Sequence, residues 1–226
     1  HPRLAEITER AARVNTLGDE EGSLTVISAI SPPGGDFSEP VTAHTRRFVK
    51  SLWALDSVRA QARFYPAIHP LDSYSEYAPQ LAPWWRDRGG LRWQDWRDRM
   101  IRLLQEQSRL ERLMRIVGRD ALPPSERGLL VCAEVLVEAF LRQSAFSEQD
   151  RFCPPEKQAR MLGLIDQLVD LVAQAVEAGI DPDQLAGLPV MRSLKRMGDD
   201  VRNDDLSMLE TLSQQLEKTF AKLSND

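Results

Sequence analysis

Cysteine is scarce in this sequence, and its scarcity excludes two classes of small-protein architecture. The 226 residues contain two cysteines, Cys132 within an apolar run and Cys153 next to a proline. This arrangement gives neither the ligand spacing of a zinc site nor a disulfide framework. We therefore expect two reduced structural thiols and no metal site in this chain.

Long apolar runs and an excess of basic charge are missing as well. No run reaches the roughly 18 residues of a membrane-spanning helix, and the first residues lack a signal-peptide pattern. The 29 Lys and Arg residues are outnumbered by 34 Asp and Glu residues, so no basic face suggests nucleic acid as the principal partner. The sequence predicts a cytoplasmic protein without direct membrane insertion, and its hydrophobic content of 42% is enough for a packed core.

The phosphate-binding loop of P-loop ATPases is also absent. The pattern G-x-x-x-x-G-K-[ST] occurs nowhere in the sequence, and no carboxylate stands in the strand context of a Walker B motif. Those two elements hold phosphate and Mg²⁺ in that class of enzyme. We therefore expect no phosphate-binding or Mg²⁺-binding residue of that class in this chain. No internal repeat is visible either, which disfavours a solenoid.

The most specific stretch present is SPPGGDFSEPVT, residues 31–42. It follows the apolar run of residues 24–30 and leads into a helical pattern, an order that predicts strand, rigid loop and helix. Residues 48–55 mix β-branched and aromatic side chains and predict a buried strand. Asp56 is then expected to cap a brief helix that runs through Ala62.

A second loop is predicted over residues 63–75, where two prolines force an extended path. Tyr65 precedes Pro66, and the restricted backbone allows the phenol ring to be held out as a platform at low entropic cost. The alternative is an aromatic side chain that packs within the loop.

Helical periodicity dominates from Ser75 onward, so we place a domain boundary near residue 73. Gly118 is expected to end a long amphipathic helix, and residues 129–141 predict a buried helix. Four tryptophans surround Gly89 and Gly90, where they could form a ligand cage; we favour the anchoring of a helical hairpin. These residues are Trp84, Trp85, Trp93 and Trp96.

The loop of residues 31–42 and the segment QSAFSEQDRFCPPEKQ of residues 143–158 resemble the catalytic A subunit of V-type and archaeal-type rotary ATPases. The resemblance extends over residues 3–160, and later residues match mainly in being helical. It implies a mixed fold: residues 1–73 are the end of an α/β nucleotide-binding domain of the P-loop ATPase type, and residues 74–226 are an all-α carboxyl-terminal domain. Because a helical pattern begins almost at the first residue, we expect the carboxyl-terminal portion of a longer subunit.

The resemblance also implies an adenine pocket. Tyr65 aligns with the tyrosine of the related F-type β subunit that stacks on adenine, and Phe146 and Phe152 take the positions of two aromatics that complete the pocket in A subunits. An adenine ring needs flat apolar walls in a partly desolvated slot, which three aromatics provide. On residue type alone, either phenylalanine could equally be a core residue.

A turn over residues 118–127 lies where the F-type β subunit has its acidic loop that pushes on the rotor shaft. The resemblance therefore implies a rotor-contact loop, stiffened here by two prolines. The plainer interpretation is a helix–helix turn capped by Ser125, and one turn can serve both purposes. The loop residues are Asp120, Ala121, Leu122, Pro123, Pro124, Ser125 and Glu126.

As a whole, the resemblance implies a subunit that couples ATP synthesis or hydrolysis to proton or sodium transport. Its expected partners are ATP or ADP with Mg²⁺, the central rotor-shaft subunit, plus a non-catalytic B subunit. It would be peripheral on a membrane through the assembled ATPase. The resemblance places no catalytic residue in this chain, which alone is expected to be inactive and to bind no nucleotide tightly. Two alternatives are a stand-alone helical protein-interaction module and a non-catalytic rotary or export ATPase relative.

Overall fold

The computed structural model of the protein describes residues 2–223. Residue 1 and residues 224–226, which the predicted ranges 1–73 and 74–226 include, lie outside the described residues. The chain divides into two compact units. The amino-terminal unit consists of His1–Leu52 with Tyr74–Tyr77, and the helical unit consists of Trp53–Ser73 with Ala78–Asp226. The boundary near residue 73 stays a prediction.

The amino-terminal unit contains two short helices and two small antiparallel sheets. Helix α1 is followed by the pair β1–β2, then by helix α2 and the pair β3–β4. These elements are α1 (Pro2–Thr8), β1 (Arg13–Asn15), β2 (Glu21–Ser23), α2 (Pro40–Phe48), β3 (Ser51–Leu52) and β4 (Tyr74–Ser75).

The loop of residues 31–42 leads into a helix, as predicted. The carboxylate of Glu39 caps α2 by accepting hydrogen bonds from the backbone N–H groups of Val41 at 3.1 Å and Thr42 at 2.9 Å. Pro40 occupies the first helical position, where its missing N–H costs nothing. The Glu-Pro pair of the motif therefore fixes where this helix begins.

Of the two strands predicted in this region, the first is wrong and the second is much shorter than predicted. Residues 24–30 form no strand, and within the described chain no other strand pairs with them. Residues 48–55 contribute the two residues of β3 to a sheet, and Leu55 adds an isolated antiparallel bridge with Ile68. Ala54 is buried, but Trp53 and Leu55 are exposed. A strand needs a neighbour to satisfy its backbone N–H and C=O groups, so apolar composition alone does not create one.

The helical unit begins with the short helix α3, Ser57–Gln61. Asp56 caps it as predicted, because its carboxylate accepts a hydrogen bond from the backbone N–H of Val58 at 2.8 Å. The remaining helices are α4 (Ala78–Arg86), α5 (Trp93–Val117), α6 (Pro124–Leu136), α7 (Glu148–Arg151), α8 (Pro155–Glu177), α9 (Pro182–Ala186), α10 (Pro189–Lys195), α11 (Met197–Asp200) and α12 (Ser207–Leu223).

The core of this unit lies between α5, α6, α8, α10 and α12. Gly128 permits close approach of α6 and α8, because a Cβ there would meet Val172 at 3.2 Å and Val176 at 3.3 Å. Helix α6 continues into a π-helical turn, Val137–Leu141, so the predicted helix over residues 129–141 is confirmed. Gly118 ends α5 with a φ of 82°, as predicted.

The tryptophans anchor a helical hairpin, as we favoured. The rings of Trp85 in α4 and Trp93 in α5 stack in parallel with centroids 4.8 Å apart. Trp84 meets Trp85 edge to face, and Trp96 packs against Gly163 of α8. These contacts join the hairpin to the helical core. No helix within residues 2–223 has the length and apolar character needed to cross a bilayer.

Candidate functional site

The loop that carries Tyr65 is attached by its backbone to the segment that follows the π-helical turn. The carbonyl of Tyr65 accepts a hydrogen bond from the N–H of Gln143 at 2.8 Å. The neighbouring Phe64 ring lies 4.6 Å from the Arg59 guanidinium and 5.8 Å from that of Arg142. Phe64 is therefore held between two cations, while the Tyr65 side chain is 55% exposed. Its ring is accessible to a ligand.

Two further aromatic side chains project from the segment that follows Gln143. Phe146 is fully exposed, and Phe152 is 73% exposed with the Arg151 guanidinium 5.1 Å from its ring. Neither is a core residue, which removes the plainest alternative for both. We call Tyr65, Phe146 and Phe152 the aromatic triad. The Tyr65–Gln143 hydrogen bond joins the two stretches of chain that carry its members.

An internal hydrogen bond shapes the segment between the two phenylalanines. The carboxylate of Asp150 accepts a hydrogen bond from the backbone N–H of Ser144 at 3.0 Å. Burial raises the pKa of Asp150, an effect that the Ser144 hydrogen bond opposes and the nearby Asp199 carboxylate reinforces. The exposed rings therefore stand on a folded-back segment whose backbone is fixed from within.

Neither cysteine is suited to act as a nucleophile. Burial raises the pKa of Cys132 to about 12, and burial also raises the pKa of Cys153. A thiol reacts as its thiolate, so neither is activated. No group of three or more His, Cys, Asp or Glu side chains in the described chain is placed to hold a metal ion.

The candidate rotor loop has buried and exposed parts. Its first residues belong to a 3₁₀ turn, Arg119–Ala121, and Leu122 is buried against the helical unit. Pro123 is the residue that precedes α6, and Pro124 is its first helical residue. The predicted cap by Ser125 is therefore wrong, because Ser125 already lies in the first turn of the helix. The two prolines start α6 without a side-chain cap.

Ion pairs brace this loop against α9. Arg119 donates to one carboxylate oxygen of Asp183 at 2.6 Å, and Arg127 donates to the other at 2.9 Å. Arg127 also reaches Asp181 at 3.3 Å, and Arg109 of α5 bonds Glu126 at 2.9 Å. We call Arg119, Arg127, Asp181 and Asp183 the loop brace. Sequence reasoning missed it, although the Asp-Pro-Asp sequence of residues 181–183 is typical of a helix start.

The contacts of Asp181 are expected to weaken in acid. The backbone N–H of Asp183 lowers the pKa of Asp181, and Arg127 lowers it further. A lowered carboxyl pKa contributes stability above its ordinary value and loses it as pH falls through the lowered one. We therefore expect the melting temperature to fall between about pH 5 and about pH 3, and to fall less in Asp181→Asn. Thermal melts at both pH values measure this, and equal falls in the two proteins would contradict it.

Comparisons with known proteins match both units. A family model for the nucleotide-binding domain of the ATP synthase alpha/beta family matches residues 1–75, and one for the C-terminal domain of V and A type ATP synthase matches residues 82–185. The A subunit of the A-type ATP synthase of Methanopyrus kandleri is 43% identical over 223 residues, which is 98% of this chain and 38% of that protein. The chain belongs to the family of A subunits of A-type ATP synthases. The predicted family and fold class are thereby confirmed.

Other A subunits of A-type ATP synthases match this chain to a similar extent. The Thermococcus onnurineus protein is 43% identical over 97% of this chain, and a Methanospirillum hungatei protein of the same type is 45% identical over 94%. This chain spans 38% and 36% of those two proteins. It is homologous to the carboxyl-terminal part of the catalytic A subunit of archaeal-type rotary ATP synthase.

A solved structure supports the fold of this member of the A-subunit family. The ATP synthase subunit NeqB from Nanoarchaeum equitans matches with a TM-score of 0.57 and 22% identity. The match covers 82% of this chain and 39% of that one. At this identity the likeness speaks for the fold alone.

Proposed function

We propose that this chain supplies the adenine-binding surface and the rotor-contact loop of the catalytic subunit of a rotary ATPase. In that subunit ATP synthesis or hydrolysis is coupled to proton or sodium transport. The observation that carries the proposal is the 43% identity to A subunits of A-type ATP synthases, over 97% or more of the chain. In this assignment residues 1–73 end the nucleotide-binding domain and residues 74–226 form the helical domain.

The aromatic triad is the part of the chain that we assign to the nucleotide. Its three rings are exposed, and the Tyr65–Gln143 hydrogen bond ties together the loop and the segment that carry them. Stacking on an aromatic ring contributes about 1–3 kcal/mol per base. This is enough for weak binding of ATP or ADP. Phosphate and Mg²⁺ would be held elsewhere, since neither a P-loop motif nor, in the described residues, a metal-binding cluster is present.

The loop of residues 120–126 is the part that we assign to the central rotor shaft. The loop brace connects it to α9, and the Arg109–Glu126 pair connects it to α5. Next to it, Ile116 and Val117 at the end of α5 are exposed and apolar. A stiff loop with an apolar neighbour can transmit force to a partner protein. The other expected partner is a non-catalytic B subunit, and the assembled ATPase would place the chain on a membrane.

The adenine assignment predicts a specific loss in Tyr65→Ala. We expect 2-azido-ADP to label the full chain weakly within residues 63–75 or 143–158, and Tyr65→Ala to lower its affinity about tenfold, because one stacking face is lost. Photolabelling followed by peptide mass spectrometry measures both. Tyr77→Ala is the matched control, since Tyr77 is an exposed tyrosine of the other unit.

The same samples test the expectation that the chain alone is inactive. We expect no ATP turnover by the wild-type chain, because the sequence has no P-loop. Turnover that disappears in Tyr65→Ala would contradict this assignment. Labelling that Tyr65→Ala and Tyr77→Ala reduce equally would contradict the aromatic triad. An absence of labelling would favour the alternative of a helical protein-interaction module.

A further inference from the structure

Lys157 is a fully buried cation in the first turn of α8. Its ammonium group donates to the carbonyls of Gly198 and Val201, both at 2.7 Å, and to the side-chain oxygen of Asn203 at 3.1 Å. A lysine has three N–H donors, so all of them are used. Three neutral oxygens therefore hold this cation in place.

Burying the charge of Lys157 is energetically unfavourable. Desolvation lowers the pKa of Lys157, while the fields of Cys153, Asp150 and Asp199 oppose that shift. A methionine of similar length would avoid the cost of desolvating a charge, but it would leave the oxygens of Gly198, Val201 and Asn203 without their donor. Lys157 therefore fixes the conformation of the turn of residues 198–203, because three oxygens of that turn accept from one ammonium group.

Asn203 connects Lys157 to the segment of the aromatic triad through hydrogen bonds. Its side-chain amide N–H donates to the carbonyl of Phe152 at 3.2 Å, and its backbone N–H donates to the side-chain oxygen of Gln149 at 2.8 Å. Because its side-chain oxygen accepts from Lys157, its amide orientation is determined. A continuous chain of hydrogen bonds thus runs from the buried ammonium to the backbone of Phe152.

A second set of contacts attaches the other end of the same segment. The hydroxyl of Ser147 donates to Asp199 at 2.5 Å. Gly198 lies so close to the segment that a Cβ there would meet the Asp150 carboxylate at 3.2 Å and the Ala139 carbonyl at 3.0 Å. The segment between Phe146 and Phe152 is therefore held at both ends by residues 198–203.

We propose that Lys157 is a positioning residue for nucleotide binding: through Asn203 and the turn of residues 198–203, it sets the backbone of Phe152 and thereby the direction in which the Phe152 ring is presented. The inference rests on the proposed function, because it takes ADP as the ligand of the aromatic triad. Lys157 is buried and does not itself touch the nucleotide. Its effect on affinity is indirect.

The test uses ¹⁹F NMR of the full chain labelled with 4-fluorophenylalanine, with the Phe152 signal assigned by Phe152→Leu. We expect Lys157→Met to move the Phe152 signal without nucleotide and to raise the dissociation constant for ADP about tenfold. Asn203→Ala, which removes the relay and keeps the ammonium, is expected to act in the same direction. If Lys157→Met does not fold, Asn203→Ala tests the proposal by itself.

Two controls separate positioning from general loss of stability. Arg160→Met removes a cation from the same helix, but one in an exposed ion pair with Glu210, and it should change neither readout. Leu110→Ala removes a buried side chain of α5, and it should lower the melting temperature without moving the Phe152 signal.

The proposal is overturned if a folded Lys157→Met or Asn203→Ala variant keeps the wild-type Phe152 signal and binds ADP as wild type does. It is also overturned if Leu110→Ala moves the signal to the same extent. Failure of the proposed function has a different signature. In that case ADP moves no phenylalanine signal of the wild-type chain, while the signals without nucleotide still report on positioning.

Discussion

Replacing Arg99 by methionine is expected to lower the free energy of unfolding of the helical unit by about 3 kcal/mol. Arg99 of α5 bonds the carboxylate of Asp166 at 2.7 Å and that of Asp170 at 2.5 Å. Asp166 is buried on α8, and without Arg99 its remaining cation is Arg92 at 3.8 Å. The loss is large because a buried carboxylate is left without its close partner. Urea denaturation followed by tryptophan fluorescence measures it.

A second substitution separates the loss of a bond from the cost of the orphaned charge. The double variant Arg99→Met/Asp166→Leu is expected to be more stable than Arg99→Met alone, because it removes the carboxylate that lost its partner. Arg160→Met is the matched control, since its ion pair with Glu210 is exposed and contributes at most about 1 kcal/mol. A double variant less stable than Arg99→Met would show that the buried charge is not the cause.

Replacing Leu168 by alanine is expected to cost about 2–5 kcal/mol, because the side chain is fully buried in α8 and its removal leaves a cavity. Ile116→Ala also removes apolar atoms, but from a side chain that is 83% exposed. We expect it to change stability by less than about 0.5 kcal/mol. Urea denaturation of both variants measures the contrast.

The same pair of variants bears on the rotor-contact loop. If the apolar end of α5 joins the loop in contacting a partner protein, Ile116→Ala should weaken assembly with the rotor shaft while leaving the fold intact. Leu168→Ala should lower the stability of the fold, and at temperatures where it is folded it should leave assembly unchanged. Similar losses of stability in both variants would contradict the core described here.

The helical unit was predictable because its signals are local. The apolar stripe of α5, the glycine at residue 118 and the cap by Asp56 each act within one or two turns of their own position. The tryptophan hairpin was also predictable, because four large rings close to two glycines favour ring–ring contacts between neighbouring helices. The aromatic triad was named through the resemblance, and the structure adds that its rings are exposed.

The strands were not predictable in the same way. Residues 24–30 and 48–55 have strand composition, yet pairing is a property of two segments, and composition describes only one. The loop brace and the role of Lys157 were not predicted, for a related reason. A buried lysine looks like any helical lysine in sequence until the carbonyls of residues 198 and 201, which lie more than forty positions away, are placed around it.

Helix α6 and its π-helical turn have a mechanical consequence. They form one uninterrupted helical rod over residues 124–141, about 25 Å long. The rod begins inside the candidate rotor loop and ends two residues before Gln143, whose N–H holds the Tyr65 loop. A displacement of the candidate rotor loop is therefore expected to shift Gln143, and with it the backbone of the Tyr65 loop.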